Sequence, residues 1–260
     1  MPSFKQVISL SRGLEILRAV NHEGRSTVGS LHRATGLDKP TIVRLLETLE
    51  QQGYLFRRPG ETYYEPAGKV RQLSSGYSKH EEVGRKATPV LNEFRDVIGW
   101  PTNLAIYDGD AMVMAETIRP LRGMAVIRQP GYRFPLLRTS PGLAYFAHLE
   151  EEQRREILDR LASEPDPAGW NRPGCSEAEL NEKLDLIRAQ GYALADRDYI
   201  AAVFDDNMWA MSVPIKGECE LHGAVGVMVL SQVLDEEGGI PQLIDPMRRL
   251  AARIAEALEY

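Results

Sequence analysis

Cysteine is nearly absent from this chain: two residues in 260, Cys175 and Cys219. They are far apart, fit no metal-ligand spacing, and read as reduced thiols of a cytoplasmic protein. Long apolar runs are missing too. None approaches the roughly 20 residues that a membrane span needs. The N-terminus lacks the apolar core of a signal peptide, since Lys5 and Arg12 bracket only a short mixed stretch. The five histidines, His22, His32, His80, His148 and His222, are scattered without ligand-type spacing. There is no Gly-x-Ser-x-Gly elbow, no Walker loop and no Gly-x-Gly-x-x-Gly. The carboxylate pairs Asp205-Asp206 and Asp196/Asp198 have loop-capping or solvation as their default role, because nothing in the sequence pairs them across space as acid and base. The expectation is a soluble, two-domain, cytoplasmic protein that is not an enzyme and takes no metal, cofactor or membrane.

What the chain does have is an uneven charge. Residues 1–79 carry 12 Lys/Arg against 7 Asp/Glu, a net of +5, while the remainder carries 19 against 30, a net of −11. A basic N-terminal third on an acidic protein points to a local surface for a polyanion.

The pattern within that third says which polyanion. Ser26 to Thr35 starts with two capping hydroxyls and sets Val28, Leu31 and Ala34 on one helical face. Gly36 and Leu37 break it. Asp38 is a good N-cap for a second helix, Lys39 to Gln52, with Pro40 in its first turn. Ile42, Leu45, Leu46 and Leu49 form its buried stripe and leave Lys39, Thr41, Arg44 and Thr48 outward. Tyr54 to Arg58 and Thr62 to Pro66 read as two short strands around Pro59-Gly60-Glu61, a wing. Two helices and a glycine turn also occur in many enzymes. Here a third helix, Val7 to Asn21, precedes them with Ile8, Leu10, Leu14, Leu17 and Ala19-Val20 as core, and a basic hairpin follows. This is a winged helix-turn-helix, whose second helix enters the major groove.

Further on, Ala67 to Tyr77 reads as a weak linker helix, and Glu82 to Ile98 as an amphipathic helix that Pro89 should kink or split. The period then becomes two. Thr102 to Tyr107 and Met112 to Thr117 flank Asp108-Gly109-Asp110, a hairpin signal. Gly123 to Arg128 is a further strand and Arg133 to Leu137 a short extended piece. Helices are expected at Ser140 to His148, Glu151 to Leu161 and Glu177 to Gln190, with a Pro/Gly-rich surface loop over Ser163 to Gly174. Strands at Tyr192 to Asp196, Trp209 to Ile215 and Gly223 to Leu230 follow, and a last helix at Ile240 to Leu258. The fold class is α+β: an N-terminal winged helix-turn-helix (residues 1–66), a linker helix (67–80), and a C-terminal mixed sheet flanked by helices (81–260).

Several segments in this order carry a family resemblance: Ser11-Arg12-Gly13-Leu14-Glu15-Ile16-Leu17, Gly36-Leu37-Asp38-Lys39-Pro40-Thr41-Ile42-Val43-Arg44-Leu45-Leu46, Gly53-Tyr54, Leu136-Leu137-Arg138-Thr139-Ser140-Pro141-Gly142, Gly191-Tyr192-Ala193 and Ser212-Val213-Pro214-Ile215. The chain resembles the IclR family of bacterial transcriptional regulators over essentially its full length. Trp100-Pro101-Thr102, Asp108-Gly109-Asp110 and Asp205-Asp206 before the Ala210–Pro214 strand are similar to members controlling aromatic-acid catabolism. The resemblance implies a ligand-controlled transcription factor, bound to palindromic double-stranded operator DNA as a dimer, often within a tetramer. It implies a GAF-like C-terminal domain for a small organic acid and, near the aromatic-acid group, an activator of a catabolic operon that contacts RNA polymerase. A repressor answering a small oxo- or hydroxy-acid is one alternative, and an enzyme with an accessory winged helix is another.

Candidate DNA-binding residues are Lys39, Thr41 and Arg44 on the recognition helix, and Arg57 and Arg58 in the wing. Arg44 can pair bidentately with guanine, and Thr41 can touch a thymine methyl or a phosphate. Ser26 and Thr27 either cap their helix or hold a phosphate; Arg12 and Arg33 are phosphate contacts or solvated charges. The resemblance puts the effector at Thr139, Ser140, Pro141 and Gly142, where helix N-terminal amides favour a carboxylate, although an ordinary cap needs no ligand. It adds Asp206, Ala210, Gly226 and Met228. Relatives that bind small oxo-acids tend to carry Cys and Ser at the positions of Ala210, Gly226 and Met228, so a roomier, more apolar pocket is expected. Met124 is a further wall, Trp209 a wall or core, and Arg119, Arg122, Arg133 or Arg138 a counter-charge.

Overall fold

Three short helices build the N-terminal unit: α1 (Ile8–Glu23), α2 (Val28–Thr35) and α3 (Lys39–Gln51). In this computed structural model the described residues are 6–74, 79–119, 129–163, 169, 171–204, 207–231 and 240–259. They fall into two compact units, Met1–Tyr77 and Ser78–Tyr260.

Local chemistry sets the helix ends of the first unit. Thr27 Oγ1 accepts the Ser30 N–H and Ser30 Oγ accepts the Thr27 N–H, a reciprocal capping box that starts α2. Gly36 closes α2 at φ 70°, a left-handed position that suits glycine. Asp38 caps α3 by accepting the Thr41 N–H at 3.1 Å. Thr41's hydroxyl and N–H hold the Asp38 carboxyl below the usual range. Ile16, Leu17, Val20, Leu31, Ile42, Leu46, Leu55 and Tyr64 form the core, with Leu45 and Leu49 packed against it. The core face of α1 is therefore not the expected one throughout: Ile8, Leu10 and Leu14 are 52%, 62% and 57% exposed. Leu17 and Val20 are buried as expected, and Ile16, not among the expected residues, joins them in the three-helix contact. The wing is shorter than expected, with β1 (Leu55–Phe56) antiparallel to β2 (Glu65–Pro66) and a bridge between Ser26 and Tyr64. The linker segment is a 3-10 helix over Gly68–Ser74; the rest of the expected helix, to Tyr77, lies outside the described residues.

The second unit is organised around a six-stranded sheet. Its strands are β3 (Thr102–Asp108), β4 (Ala111–Ile118), β5 (Arg133–Phe134), β6 (Ala193–Leu194), β7 (Met208–Lys216) and β8 (Leu221–Leu230). Their order is β5-β4-β3-β8-β7-β6. Every described pair is antiparallel, so the expected mixed sheet is corrected to an antiparallel one. Two hairpins, β3–β4 and β7–β8, join through a β3–β8 ladder, which leaves no described parallel crossover. The expected strand at Gly123 to Arg128 lies outside the described residues, as does most of the expected loop after Ser163.

Period two divides the sheet into two faces. Leu104, Ile106, Met211, Val213, Ile215, Val225, Val227 and Val229 meet α4 (Lys79–Ile98) and α9 (Ile240–Glu259) on one side. Pro89 does not split α4. Ala87, Val90 and Leu91 on both sides of Pro89 are buried in that layer, and packing holds the helix together. The opposite face is built of small residues, Ala105, Ala193 and Ala224 with Gly226 and Ser212, and it receives α5 (Ser140–Ala147). Helices α6 (Glu151–Ser163) and α7 (Glu177–Gln190) complete that layer. A helix absent from the sequence reading, α8 (Arg197–Phe204), follows β6.

Helix α5 lies so close to the preceding turn that a Cβ on Gly142 would sit 2.0 Å from the Leu136 carbonyl oxygen. Gly142→Ala is thus expected to lower stability by about 1–3 kcal/mol, the usual cost of overpacking. Urea denaturation reads it; an unchanged midpoint would mean that the turn relaxes freely.

Candidate functional site

Two surfaces bear on function, one in each unit. In the first, Lys39, Arg44 and Arg58 are exposed and, among the described residues, form no ion pair. Thr41 is half-buried beside its Asp38 cap. The Thr48 hydroxyl donates to the Arg44 carbonyl, leaving the guanidinium free of that contact. Arg57 is exposed and lies over the Tyr64 ring, 5.2 Å from its centroid, which restrains its rotamers. At the base of the wing, Arg25 binds Glu65 at 2.7 Å. Ser26 is corrected out of the DNA-facing set. It is 0% exposed, and its hydroxyl donates to Glu23 at 2.6 Å. Thr27 serves as the α2 cap.

In the second unit a cleft opens where α5 begins. Thr139, Ser140 and Pro141 line it from α5; Ala210, Gly226 and Met228 from the sheet; Tyr199, Ile200 and Phe204 from α8. Asn103, Met114, Tyr132, Phe134 and Ser212 are further walls. Its empty space, open mouth included, is about 560 Å³. Among the expected residues, Met124 and Asp206 lie outside the described residues. Gly142 is not a wall; it packs on Leu136, and its N–H goes to Thr139 Oγ1. Trp209 packs against the core on the α4/α9 side.

The polar groups of the cleft are neutral. Ser140 Oγ and Ser212 Oγ are 2.9 Å apart and fully buried. Gly226 makes that pair possible, because a Cβ there would lie 2.3 Å from Ser212 Oγ. The missing side chain at 226 is thus partly filled by a hydroxyl, not left as apolar space. Thr139 caps α5, donating to the Pro135 carbonyl at 2.7 Å. No lysine, arginine or histidine is among the described lining residues. Of the arginines considered as counter-charges, Arg133 pairs with Asp108 and Asp110, Arg138 with Asp196, and Arg119 is exposed. Arg122 lies outside the described residues.

Arg138 has a structural task beside the cleft. It binds Asp196 at 3.1 Å and lies over the Tyr199 ring, tying the start of α5 to the start of α8. Burial pushes the Asp196 carboxyl up. The Tyr199 N–H, Arg138 and Lys183 outweigh it and hold the group below the usual carboxylate range. The stabilisation this gives is present at neutral pH and lost as pH falls through the lowered value.

Sequence reasoning found the α5 end and one strand position each on 210, 226 and 228. It missed Asn103, Ser212 and the α8 wall. An Asn next to the apolar run Leu104-Ala105-Ile106 was the available signal for the first.

Comparison with known proteins gives the frame for both surfaces. The profile of the IclR helix-turn-helix domain matches residues 9–59, and that of the bacterial transcriptional regulator IclR C-terminal domain matches residues 75–256. The probable transcriptional regulator SauR of Cupriavidus necator is 30% identical over 150 residues, 58% of this chain and 59% of that protein. The transcriptional repressor IclR of Escherichia coli is 26% identical over 217 residues, 79% of this chain and 78% of its own. In structure, a transcriptional regulator of Rhodococcus sp. RHA1, RHA06195, superposes with a TM-score of 0.66 at 25% identity, covering 98% of this chain and 99% of that one. The matched segments span most of the sequence, and the chain belongs to the IclR family of DNA-binding transcriptional regulators.

Proposed function

We propose that this regulator is switched by an aromatic acid bound in the cleft at the start of α5, and that it controls an operon for breaking down such compounds. Residues 1–66 are the DNA-binding domain, 67–80 the linker and 81–260 the effector domain. The observation that carries the reading is the character of the cleft. Its walls are Met114, Phe134, Tyr132, Tyr199, Phe204 and Met228, suited to a flat ring. At one end lie the N-terminus of an eight-residue helix and two serine hydroxyls. The helix dipole and the one hydroxyl proton that the Ser140–Ser212 pair does not use favour a carboxylate there. A small oxo-acid would leave most of the apolar wall uncovered.

On DNA, Lys39, Thr41 and Arg44 read base edges, while Arg57 and Arg58 hold the backbone or minor groove. The protein acts as a dimer or tetramer on a palindromic operator, with effector binding shifting the population of its conformations. The sign of control is activation, through contact with RNA polymerase, on the resemblance to aromatic-acid regulators. Repression is the second reading, favoured by the name of the E. coli relative. A promoter fusion in a strain lacking the protein separates them: expression falls for an activator and rises for a repressor.

Two measurements test the main reading. Arg44→Ala is expected to lose roughly 1–3 kcal/mol of operator discrimination in fluorescence anisotropy, with an unchanged unfolding midpoint. Wild-type discrimination would move the recognition face elsewhere. For the effector, melting curves against benzoates, phenylacetates, phenylpropionates and short oxo-acids give a direct answer. A true effector at 100 times its dissociation constant adds roughly 2.7 kcal/mol. A shift from oxo-acids alone would sink the aromatic reading.

A further inference from the structure

We infer that Lys69, the second residue of the linker 3-10 helix, is a positioning residue for DNA reading: it latches the linker onto the carboxyl end of α3 and so fixes the angle at which that helix presents Lys39, Thr41 and Arg44. This rests on α3 as the recognition helix and adds a residue that sets its pose without touching a base.

The backbone closes the end of α3 only in part. Gly53 takes φ 75°, a left-handed position that suits glycine. Its N–H goes to the Glu50 carbonyl and the Tyr54 N–H to the Leu49 carbonyl, both at 2.9 Å. The Gln52 carbonyl accepts instead from Lys69 Nζ, also at 2.9 Å. Helix α3 has no basic residue in its own last turn. The cation that faces the negative end of its dipole comes from the linker, 17 residues on.

Lys69 is exposed, and a single hydrogen bond in contact with water would hold it loosely. Two further contacts restrain it. Its stem runs over Gly53, where an added Cβ would lie 3.7 Å from Lys69 Cδ, at van der Waals distance. Its ammonium lies 4.9 Å from the centroid of the Tyr54 ring, and that ring packs against the core. The neighbours of Lys69 are tied to the same place. The Ala67 N–H donates to the Tyr54 carbonyl at 2.8 Å, and Val70 packs against the core. Residues 67–70 thus ride on the turn that ends the recognition helix. The chain passes from the first unit, Met1–Tyr77, to the second, Ser78–Tyr260, through this linker. The exit of the chain and the pose of α3 therefore share one set of contacts. When Lys69 lets go, α3 loses a restraint at its carboxyl end, and binding to base edges must restore the angle at an entropic cost. Attraction to phosphates does not need that angle.

The test measures fluorescence anisotropy with the full-length protein, on a duplex that the wild type selects from a random-sequence pool and on a scrambled duplex of equal length. Lys69→Met keeps most of the stem and removes the cation. It is expected to lose about tenfold in affinity for the selected duplex, the order of one charge-assisted hydrogen bond. Affinity for the scrambled duplex is expected to stay within about twofold of the wild type, with the same salt slope and an unchanged urea midpoint. Lys69→Arg keeps a cation and donors for the carbonyl and is expected to recover most of the loss. Equal losses on both duplexes, with a salt slope lower by about one, would make Lys69 a phosphate contact and overturn the latch. A lower urea midpoint with discrimination unchanged overturns it as well, leaving a structural prop. Arg44→Ala, run alongside, separates the two readings. Discrimination lost in Arg44→Ala but kept in Lys69→Met overturns the latch and leaves α3 as the reading helix. Discrimination kept in both overturns the recognition face and the latch together.

Discussion

The second unit depends on how closely α5 approaches the sheet. That approach needs small residues on both sides. The sheet offers Ala105, Ala193, Ala224 and Gly226, while the helix offers Ser140, Ala144 and Ala147. The Cβ-free contact of Gly142 with the Leu136 carbonyl pins the helix start at the end of the β5 turn. Because that start is pinned, Ser140 lies within hydrogen-bond distance of Ser212 in the middle of the sheet. A helix held farther off by larger side chains would close over the sheet without bringing its N-terminus to the strand hydroxyls. The cleft is therefore a by-product of tight packing: where α5 begins, the small face runs on past it, and α8 supplies the missing wall.

The DNA-binding unit solves a different problem with fewer residues. Eight buried side chains form its core, and a core this small leaves little margin for weak helix ends. The capping box at Thr27–Ser30 and the Asp38 cap supply order that hydrophobic burial alone does not. Capping also fixes where α3 begins, and with it the position of Lys39, Thr41 and Arg44 on the first two turns. Among the described residues Lys39 and Arg44 have no carboxylate partner, which leaves them available to phosphates and base edges.

What could be read from the sequence follows from which signals are local. Caps, turns and periodicity are local, so α2, α3, the Asp108-Gly109-Asp110 hairpin and the Ser176-capped α7 were legible nearly to the residue. The Thr139 cap also marked the helix start that the cleft is built on. Helix α8 had a local cap in Asp196, whose carboxylate accepts the Tyr199 N–H, but the same residue also ends the expected Tyr192–Asp196 strand, which hid the helix start. Long-range signals were not legible. The apolar residues of α1 suit either side of the helix, and only contact with α2 and α3 chooses Ile16, Leu17 and Val20. Gly226 looked like empty space in sequence. Its meaning depends on Ser212, which faces it from the neighbouring strand.

The neutrality of the cleft has a physical consequence for how an acid is recognised. Residues 80–260 carry a net charge of −11, so an anionic ligand approaches against the average field of its own domain. Once inside, it meets no cationic side chain among the described walls. A helix N-terminus contributes only about 0.3–1 kcal/mol, rising toward 2 when partly buried. Burying an aromatic ring contributes more, at about 25 cal/mol per Å² of apolar surface. On the proposed aromatic-acid reading, the acid group therefore orients the ligand more than it holds it, and affinity comes from the ring against Met114, Phe134, Phe204 and Met228. An arginine in the cleft would bind many acids alike through charge, whereas apolar walls with a few neutral hydrogen-bonding groups answer to the shape of the ring.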